Sequence, residues 1–178
     1  YGCGDLILKV IEEYQATHQS DFFTDYRKAI FSNTRMDGEQ KKSASLIVWQ
    51  DDNVIVFVPK AQTSQWELQI MTIPNSKGNL VGNILEADQE TRDSLDTAIF
   101  MAQKALYGLG AEMVTSIEYP KRIHHQDTIQ PLIYCLLPRL PESPGAFSEA
   151  QLRYINGHYP EDFASECRAS LQRQNLVP

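Results

Sequence analysis

The sequence predicts an α+β fold, in which a mostly antiparallel sheet of five strands is crossed by one long helix and flanked by helices at both ends of the chain. Two runs rich in β-branched residues meet at an Asp-Asp-Asn turn, which indicates a hairpin. A later stretch repeats its apolar residues every three or four positions, as an amphipathic helix does. Because hairpins join antiparallel strands and one long helix can cover a sheet face, these observations favour this fold class.

The composition is that of an ordinary globular protein and narrows the choice of partners. The 178 residues, 42% of them hydrophobic and 22% charged, suit a single domain. A net charge of −7 argues against a partner such as a nucleic-acid backbone. No apolar run approaches the ~20 residues that span a membrane, and no signal peptide is recognisable, so we expect a cytoplasmic protein with no membrane partner. Three widely spaced cysteines predict neither a disulfide framework nor a zinc site.

A helical N-terminal extension is predicted for residues 1–44. The stretch Leu6 to His18 places its apolar residues at helical spacing and so predicts a first helix with one apolar face. Asp21 is suited to cap a second helix that runs through Ile30. The polar stretch 32–43, which contains an Asp-Gly pair, is typical of a loop.

The core of the domain is predicted for residues 45–139. Five strands are expected, at 45–50, 54–59, 66–73, 113–119 and 131–137. Between the third and fourth strands, Asp88 is suited to cap the long helix, whose apolar positions recur from Leu95 to Leu109. Gly108 and Gly110 mark its C-terminus.

A C-terminal helical segment completes the predicted domain at residues 140–178. A short helix is expected from Ser148 to about Ile155, where Asn156-Gly157 ends it. Pro160 suits the first position of a last helix that runs to about Gln172.

Several short sequence motifs resemble those of one known family in their order and spacing. They are the hairpin LIVWQDDNVIVFVP at 46–59, Trp66 with Pro74 eight residues later, Tyr119-Pro120 followed by His124, the strand at 130–138, and RYING at 153–157. This series resembles the histidine-triad (HIT-like) superfamily and, more narrowly, the C-terminal half of the galactose-1-phosphate uridylyltransferases. The resemblance implies a HIT-like sheet, a nucleotide or nucleotide sugar as ligand, no cofactor, and a homodimer as a possible assembly.

The departure from the family's pattern concerns catalysis. The resemblance implies histidines alternating along the last strand, one of which forms a nucleotidyl-histidine intermediate. The matching positions here are Gln130, Leu132 and Tyr134, and the loop that follows the third strand carries no histidine either. We therefore expect that the triad histidines are lost and that this chain holds no catalytic residue.

Two groups of residues near the last strand are candidates for ligand binding. The loop before the last strand offers cationic donors to a phosphate or diphosphate, from Lys121, Arg122, His124 and His125. The alternative is that these residues form an exposed polar loop without a ligand. Gln130 and Tyr134 share one face of the strand with Leu132. They are predicted either to line a pocket for a base or ribose or to belong to a filled core.

A third candidate group comprises Arg153 and His158, which flank Asn156-Gly157. The resemblance implies a sugar-phosphate contact at this segment across a dimer interface. The alternative is a solvated helix end.

Three functions remain open at this point. The first is a HIT-like domain that binds a nucleotide or nucleotide sugar without its own nucleophile. The second is the C-terminal half of a larger active nucleotidyltransferase whose catalytic histidine lies upstream, a possibility that the non-methionine start at Tyr1 leaves open. The third is a structural or dimerisation module with a filled pocket.

Overall fold

The computed structural model describes residues 3–123, 129–139 and 156–178. In these ranges the chain forms four helices and five strands. The helices are α1 (Cys3–His18), α2 (Phe22–Phe31), α3 (Gln89–Tyr107) and α4 (Pro160–Arg173). The strands are β1 (Ile47–Gln50), β2 (Val54–Phe57), β3 (Leu68–Thr72), β4 (Val114–Tyr119) and β5 (Ile133–Pro138).

Local chemistry sets the helix starts as the sequence predicts. The Asp21 carboxylate accepts a hydrogen bond from the backbone N–H of Thr24 at 2.7 Å, which begins α2. The Asp88 carboxylate accepts one from the N–H of Thr91 at 2.9 Å, which begins α3. Pro160 occupies the first turn of α4, where its missing N–H is no loss. These three predicted starts are confirmed.

The five strands form one sheet in the order β1-β2-β3-β5-β4, and every neighbouring pair is antiparallel. The predicted hairpin is β1 and β2, with one register shift near Val48. The strand β5 lies between β3 and β4 and pairs with β4 over six residues. The fold class is therefore the predicted α+β one.

Helices cover both faces of the sheet, whereas the sequence predicted one helix across one face. On the first face, α3 and α4 bury the alternate residues of the strands in the larger apolar cluster. On the second face, α1 and α2 pack against Ile55, Phe57 and Met71, which contact Ile11 and Phe23. Alternate side chains of a strand point to opposite faces, so the apolar runs of β2 and β3 need cover on both sides.

Two predicted elements differ from the structure or lie outside it. The third strand begins at Leu68 instead of Trp66, because Trp66 has a φ of 62° and does not continue the strand. Its ring stacks on Phe163 of α4, with centroids 6.0 Å apart. The predicted helix at 148–155 lies outside the described residues. Among the helices of the described ranges, none is long and apolar enough to cross a membrane.

Candidate functional site

The residue at the entrance to β5, Gln130, has a buried side chain. It is only 2% exposed, and within the described ranges neither its Nε2 nor its Oε1 has a hydrogen-bond partner. Burying an amide without a partner costs free energy, so such groups are rare in folded proteins. The Gln130 carboxamide offers two donors and an acceptor to a polar ligand group.

The loop that follows β3 holds Gln130 next to Lys121. The carbonyl of Gly82 accepts a hydrogen bond from the N–H of Lys121 at 2.7 Å, and the carbonyl of Val81 accepts one from the N–H of Leu132 at 3.1 Å. A Cβ at position 82 would lie 2.7 Å from the backbone oxygen of Gln130, so only glycine permits this approach. The two predicted site residues are therefore neighbours.

The predicted cations of this region are engaged in ion pairs. Lys121 Nζ lies 2.6 Å from Glu86 Oε1, and the lysine side chain is 12% exposed. Burial would raise the pKa of Glu86, but the hydrogen bonds from Lys121 and from the N–H of Gly82 outweigh it and hold that pKa below its usual value. Arg122 pairs with Asp5 of α1 at 2.9 Å, and both side chains are exposed.

Three of the predicted binding residues have no described position. His124, His125 and Arg153 lie outside the described residues.

The face of β5 that carries Leu132 and Tyr134 points toward α3. Leu132 is fully buried in the cluster that α3 covers. Tyr134 is half-buried on the same face, between Ile70 of β3 and Glu118 of β4. Burial, and then the Glu118 carboxylate, raise the pKa of Tyr134 to about 12. Its hydroxyl therefore stays protonated at neutral pH, as a hydrogen-bonding group and a poor nucleophile.

On the opposite face of β5, Cys135 contacts the buried carboxylate of Glu67, which the sequence did not predict as a polar group of this region. Glu67 accepts hydrogen bonds from the N–H of Thr63 at 2.7 Å and from Gln69 Nε2 at 2.9 Å, and the thiol of Cys135 donates to it at 3.2 Å. Burial, and then the Glu67 carboxylate, raise the pKa of the Cys135 thiol well above its usual value. The thiol is therefore a structural hydrogen-bond donor. Glu67 and Gln69 are two residues apart in the predicted third strand, so their side chains lie on one face. This spacing is the sequence signal that could have indicated the polar group.

His158 lies just before α4, at the end of the sheet where β3 begins and far from Gln130. Its ring is 5.1 Å from that of Phe163, and burial lowers its pKa, with Asp162 opposing the shift. The side chain is therefore neutral near pH 7. In the part of the chain that is described, the buried Nε2 of His158 and the buried Oε1 of Gln62 have no hydrogen-bond partner. Asn156 links the two segments, because its Nδ2 donates to the Gln62 carbonyl at 2.9 Å.

The structure places two groups of the described candidates at opposite ends of the sheet. Gln130 and Lys121 lie at the end of the sheet where Thr72 bonds to the backbone of Leu132. His158 lies beyond the other end of β3, on the side of Gln62. The five residues of β3 span about 17 Å, so these two groups do not line one compact pocket in a single chain.

Solved structures share this fold at low sequence identity. A uridylyltransferase mutant superimposes with a TM-score of 0.70 and 19% identity, over 96% of this chain and 53% of that chain. An ADP-glucose phosphorylase from Arabidopsis thaliana, solved with bound ADP-glucose, matches with a TM-score of 0.57 and 18% identity, over 83% of this chain and 46% of that one. The chain therefore has a HIT-like fold and spans about half the length of these two proteins.

Smaller proteins share the fold over most of their own length. A hypothetical histidine triad nucleotide-binding protein from Sulfolobus tokodaii matches with a TM-score of 0.53 and 16% identity, over 73% of this chain and 85% of that chain. The sequence itself matches no protein-family model and no curated protein. These likenesses establish the fold alone.

Proposed function

We propose that this chain is a HIT-like domain that binds a nucleotide or nucleotide sugar and supplies no nucleophile of its own. The observation that carries the proposal is the buried carboxamide of Gln130, which has no partner among the described residues. Leaving a buried amide unpaired lowers the stability of the fold by about 1–3 kcal/mol, and a hydrogen bond to a ligand would recover that free energy. Bases, riboses and phosphates all carry groups that such an amide can bond.

The surroundings of Gln130 suit a phosphate-bearing ligand. The backbones of Lys121 and Gln130 both lie close to Gly82, and the Lys121 ammonium is neutralised by the Glu86 carboxylate. A phosphate oxygen that approached Gln130 would compete with Glu86 for that ammonium. The pair is therefore a candidate for rearrangement on binding.

The lack of a nucleophile is proposed from Leu132, which directly precedes β5, and Tyr134 within β5. These are two of the three positions that the resemblance matches to histidines. Leu132 has no reactive atom and fills the core beneath α3. Tyr134 has a pKa raised to about 12, which disfavours the phenolate. These properties support binding over turnover at this strand.

A thermal-shift panel tests the proposal. The chain is heated with UDP-glucose, ADP-glucose, UMP, AMP and ATP, each at about 100 times the dissociation constant that a titration yields. A ligand at that concentration stabilises by about 2.7 kcal/mol, or roughly 5–10 °C here. We expect one of these compounds to raise the melting temperature, and Gln130→Met to remove that rise. No rise with any of them contradicts the proposal and favours a structural module with a filled pocket.

A second candidate rests on the coverage of the larger relatives. The chain matches about half of the uridylyltransferase and of the ADP-glucose phosphorylase. We propose as the alternative that it acts as one half of a larger nucleotidyltransferase, with the catalytic histidine in another segment. Transfer of a nucleotidyl group by the full-length protein, absent from the isolated chain, would distinguish the two.

A further inference from the structure

The connection between β3 and α3 folds one of its own carboxylates onto a set of hydrogen-bond donors. Glu86 Oε2 accepts a hydrogen bond from the backbone N–H of Gly82 at 2.9 Å. Glu86 Oε1 accepts one from Asn83 Nδ2 at 3.0 Å and lies 2.6 Å from the ammonium of Lys121. A backbone N–H, a side-chain amide and an ammonium thus converge on one anion. The same three kinds of donor bind phosphate oxygens in proteins.

The donors are held in place, whereas the carboxylate is not. Gly82 and Asn83 are buried, and the Lys121 side chain is only 12% exposed. Asn83 Oδ1 accepts a hydrogen bond from the N–H of Leu85 at 3.0 Å, which orients the Nδ2 group of the same amide. The Glu86 side chain is 36% exposed, and exposed side chains change rotamer rapidly. A rotation of Glu86 into water would therefore leave the three donors free.

A second observation points to a ligand at this place. A Cβ at position 82 would lie 2.7 Å from the backbone oxygen of Gln130 and 2.7 Å from the Cβ of Lys121, so both residues meet at Gly82. The Glu86 carboxylate satisfies the three donors, but the buried Gln130 carboxamide stays without a partner among the described residues. A phosphate ester has acceptor oxygens for the donors and further polar groups for an amide.

We propose that Gly82, Asn83 and Lys121 form an oxyanion site for a phosphoryl group, and that Glu86 is an internal stand-in that closes this site in the free protein. The choice of a phosphoryl group rests on the proposed function. When the ligand binds, its oxygens accept the three hydrogen bonds and the Glu86 carboxylate moves into water. No covalent bond forms or breaks.

The stand-in makes the site selective. A ligand that binds only the open form has an apparent dissociation constant equal to its intrinsic one divided by the open fraction. A small anion makes no other contact that offsets the displacement of Glu86, so it binds weakly. A nucleotide or nucleotide sugar makes additional contacts and can displace the carboxylate. The free site therefore excludes stray anions although its donors are already in place.

Titration calorimetry with inorganic diphosphate tests the stand-in directly. Glu86→Ala opens the site, so it is expected to bind diphosphate at least about tenfold more tightly than the wild type if nine in ten wild-type molecules are closed. Glu90→Ala is the matched control, because it removes an exposed carboxylate of the same region that lies 3.9 Å from Lys77 Nζ. We expect it to change the affinity less than twofold. Adding Lys121→Met to Glu86→Ala should abolish the gain.

Circular dichroism first establishes that each variant folds. If Glu86→Ala does not fold, Glu86→Gln takes its place with the same expected direction, because it keeps the shape of the side chain and removes its charge. Equal affinity of the wild type and the Glu86 variant overturns the proposal. A gain of the same size in Glu90→Ala, or a gain that survives Lys121→Met, also overturns it.

UDP-glucose and ADP-glucose, titrated into the same proteins, separate this inference from the proposed function. If Glu86→Ala gains diphosphate binding but neither compound binds to either protein, the oxyanion site stands and the proposed function fails. If one compound binds the wild type and Glu86→Ala equally well and diphosphate shows no gain, the proposed function stands and the stand-in is wrong.

Discussion

Replacing the Gln130 carboxamide with an apolar group of similar size should stabilise the free protein. The side chain is buried, and its two polar atoms have no partner in the described part of the chain. Leaving a buried polar group unpaired costs about 1–3 kcal/mol, whereas an apolar group of the same shape carries no such penalty. Methionine keeps the length and approximate volume. We expect Gln130→Met to raise the free energy of unfolding by about 1–3 kcal/mol.

A second buried amide provides the matched control. Asn53 is also buried, but its Nδ2 donates to Ser94 Oγ at 3.1 Å. Asn53→Leu removes a paired amide and leaves Ser94 without its donor, so it should lower stability by about 1–3 kcal/mol. The two substitutions therefore have opposite signs although both remove a buried amide.

Urea unfolding monitored by circular dichroism measures both effects, and a melting curve checks them. For a domain of this size 1 kcal/mol corresponds to roughly 2–4 °C in the melting temperature. A loss of stability in Gln130→Met as large as that in Asn53→Leu would refute the reasoning. It would show that the Gln130 carboxamide is paired in solution and is not available to a ligand.

Three further predictions concern the core, the thiols and a buried carboxylate. Leu132→Ala should lower the free energy of unfolding by about 2–5 kcal/mol in urea titrations, because Leu132 is fully buried under α3. Ellman's reagent should titrate at most one of the three thiols of the native protein, because burial raises the pKa values of Cys135 and Cys167, and all three after denaturation. Glu161→Gln should destabilise at pH 7 by about 1–3 kcal/mol, since the Glu161 carboxylate pairs with Lys60.

The pH dependence of that last effect follows from the direction of the pKa shift. Burial would raise the pKa of Glu161, but hydrogen bonds from Lys60 and Asn33 outweigh it and hold the pKa below its usual value. The stability that this group contributes is thus present above its unfolded pKa of ~4.3 and is lost as the pH falls through the lower folded value. The difference between wild type and Glu161→Gln should shrink below about pH 4. A difference that grows toward low pH would contradict this.

The parts of the fold that local chemistry sets could be predicted from the sequence. Asp21 and Asp88 cap helices because each carboxylate bonds an N–H three residues on, within a single turn. Trp66 could not be placed, because its φ of 62° accompanies a ring contact with Phe163, far along the chain. The sequence predicts apolar faces on α1 and α2, and says nothing of which sheet face they cover.

The candidate site was harder to predict from the sequence, because its contacts also join residues that are far apart along the chain. Lys121 was predicted either as a phosphate contact or as part of an exposed polar loop, whereas its side chain is mostly buried and pairs with Glu86. The partner of a charged side chain is chosen by the tertiary fold, which composition and spacing do not specify. Gln130 was predicted as a site residue through the resemblance, and its burial without a described partner arises from the tertiary structure. Its role in binding stays a prediction.

The measurement that tests the central claim most directly is a ³¹P NMR titration of UDP-glucose and, separately, ADP-glucose with the purified chain. We predict that the diphosphate resonances of one compound shift or broaden in a saturable manner, and that no new phosphorus signal grows in over many hours. The titration with Gln130→Met should leave the resonances unchanged. Unperturbed resonances with both compounds would contradict binding, and the appearance of a product signal would contradict the loss of the nucleophile.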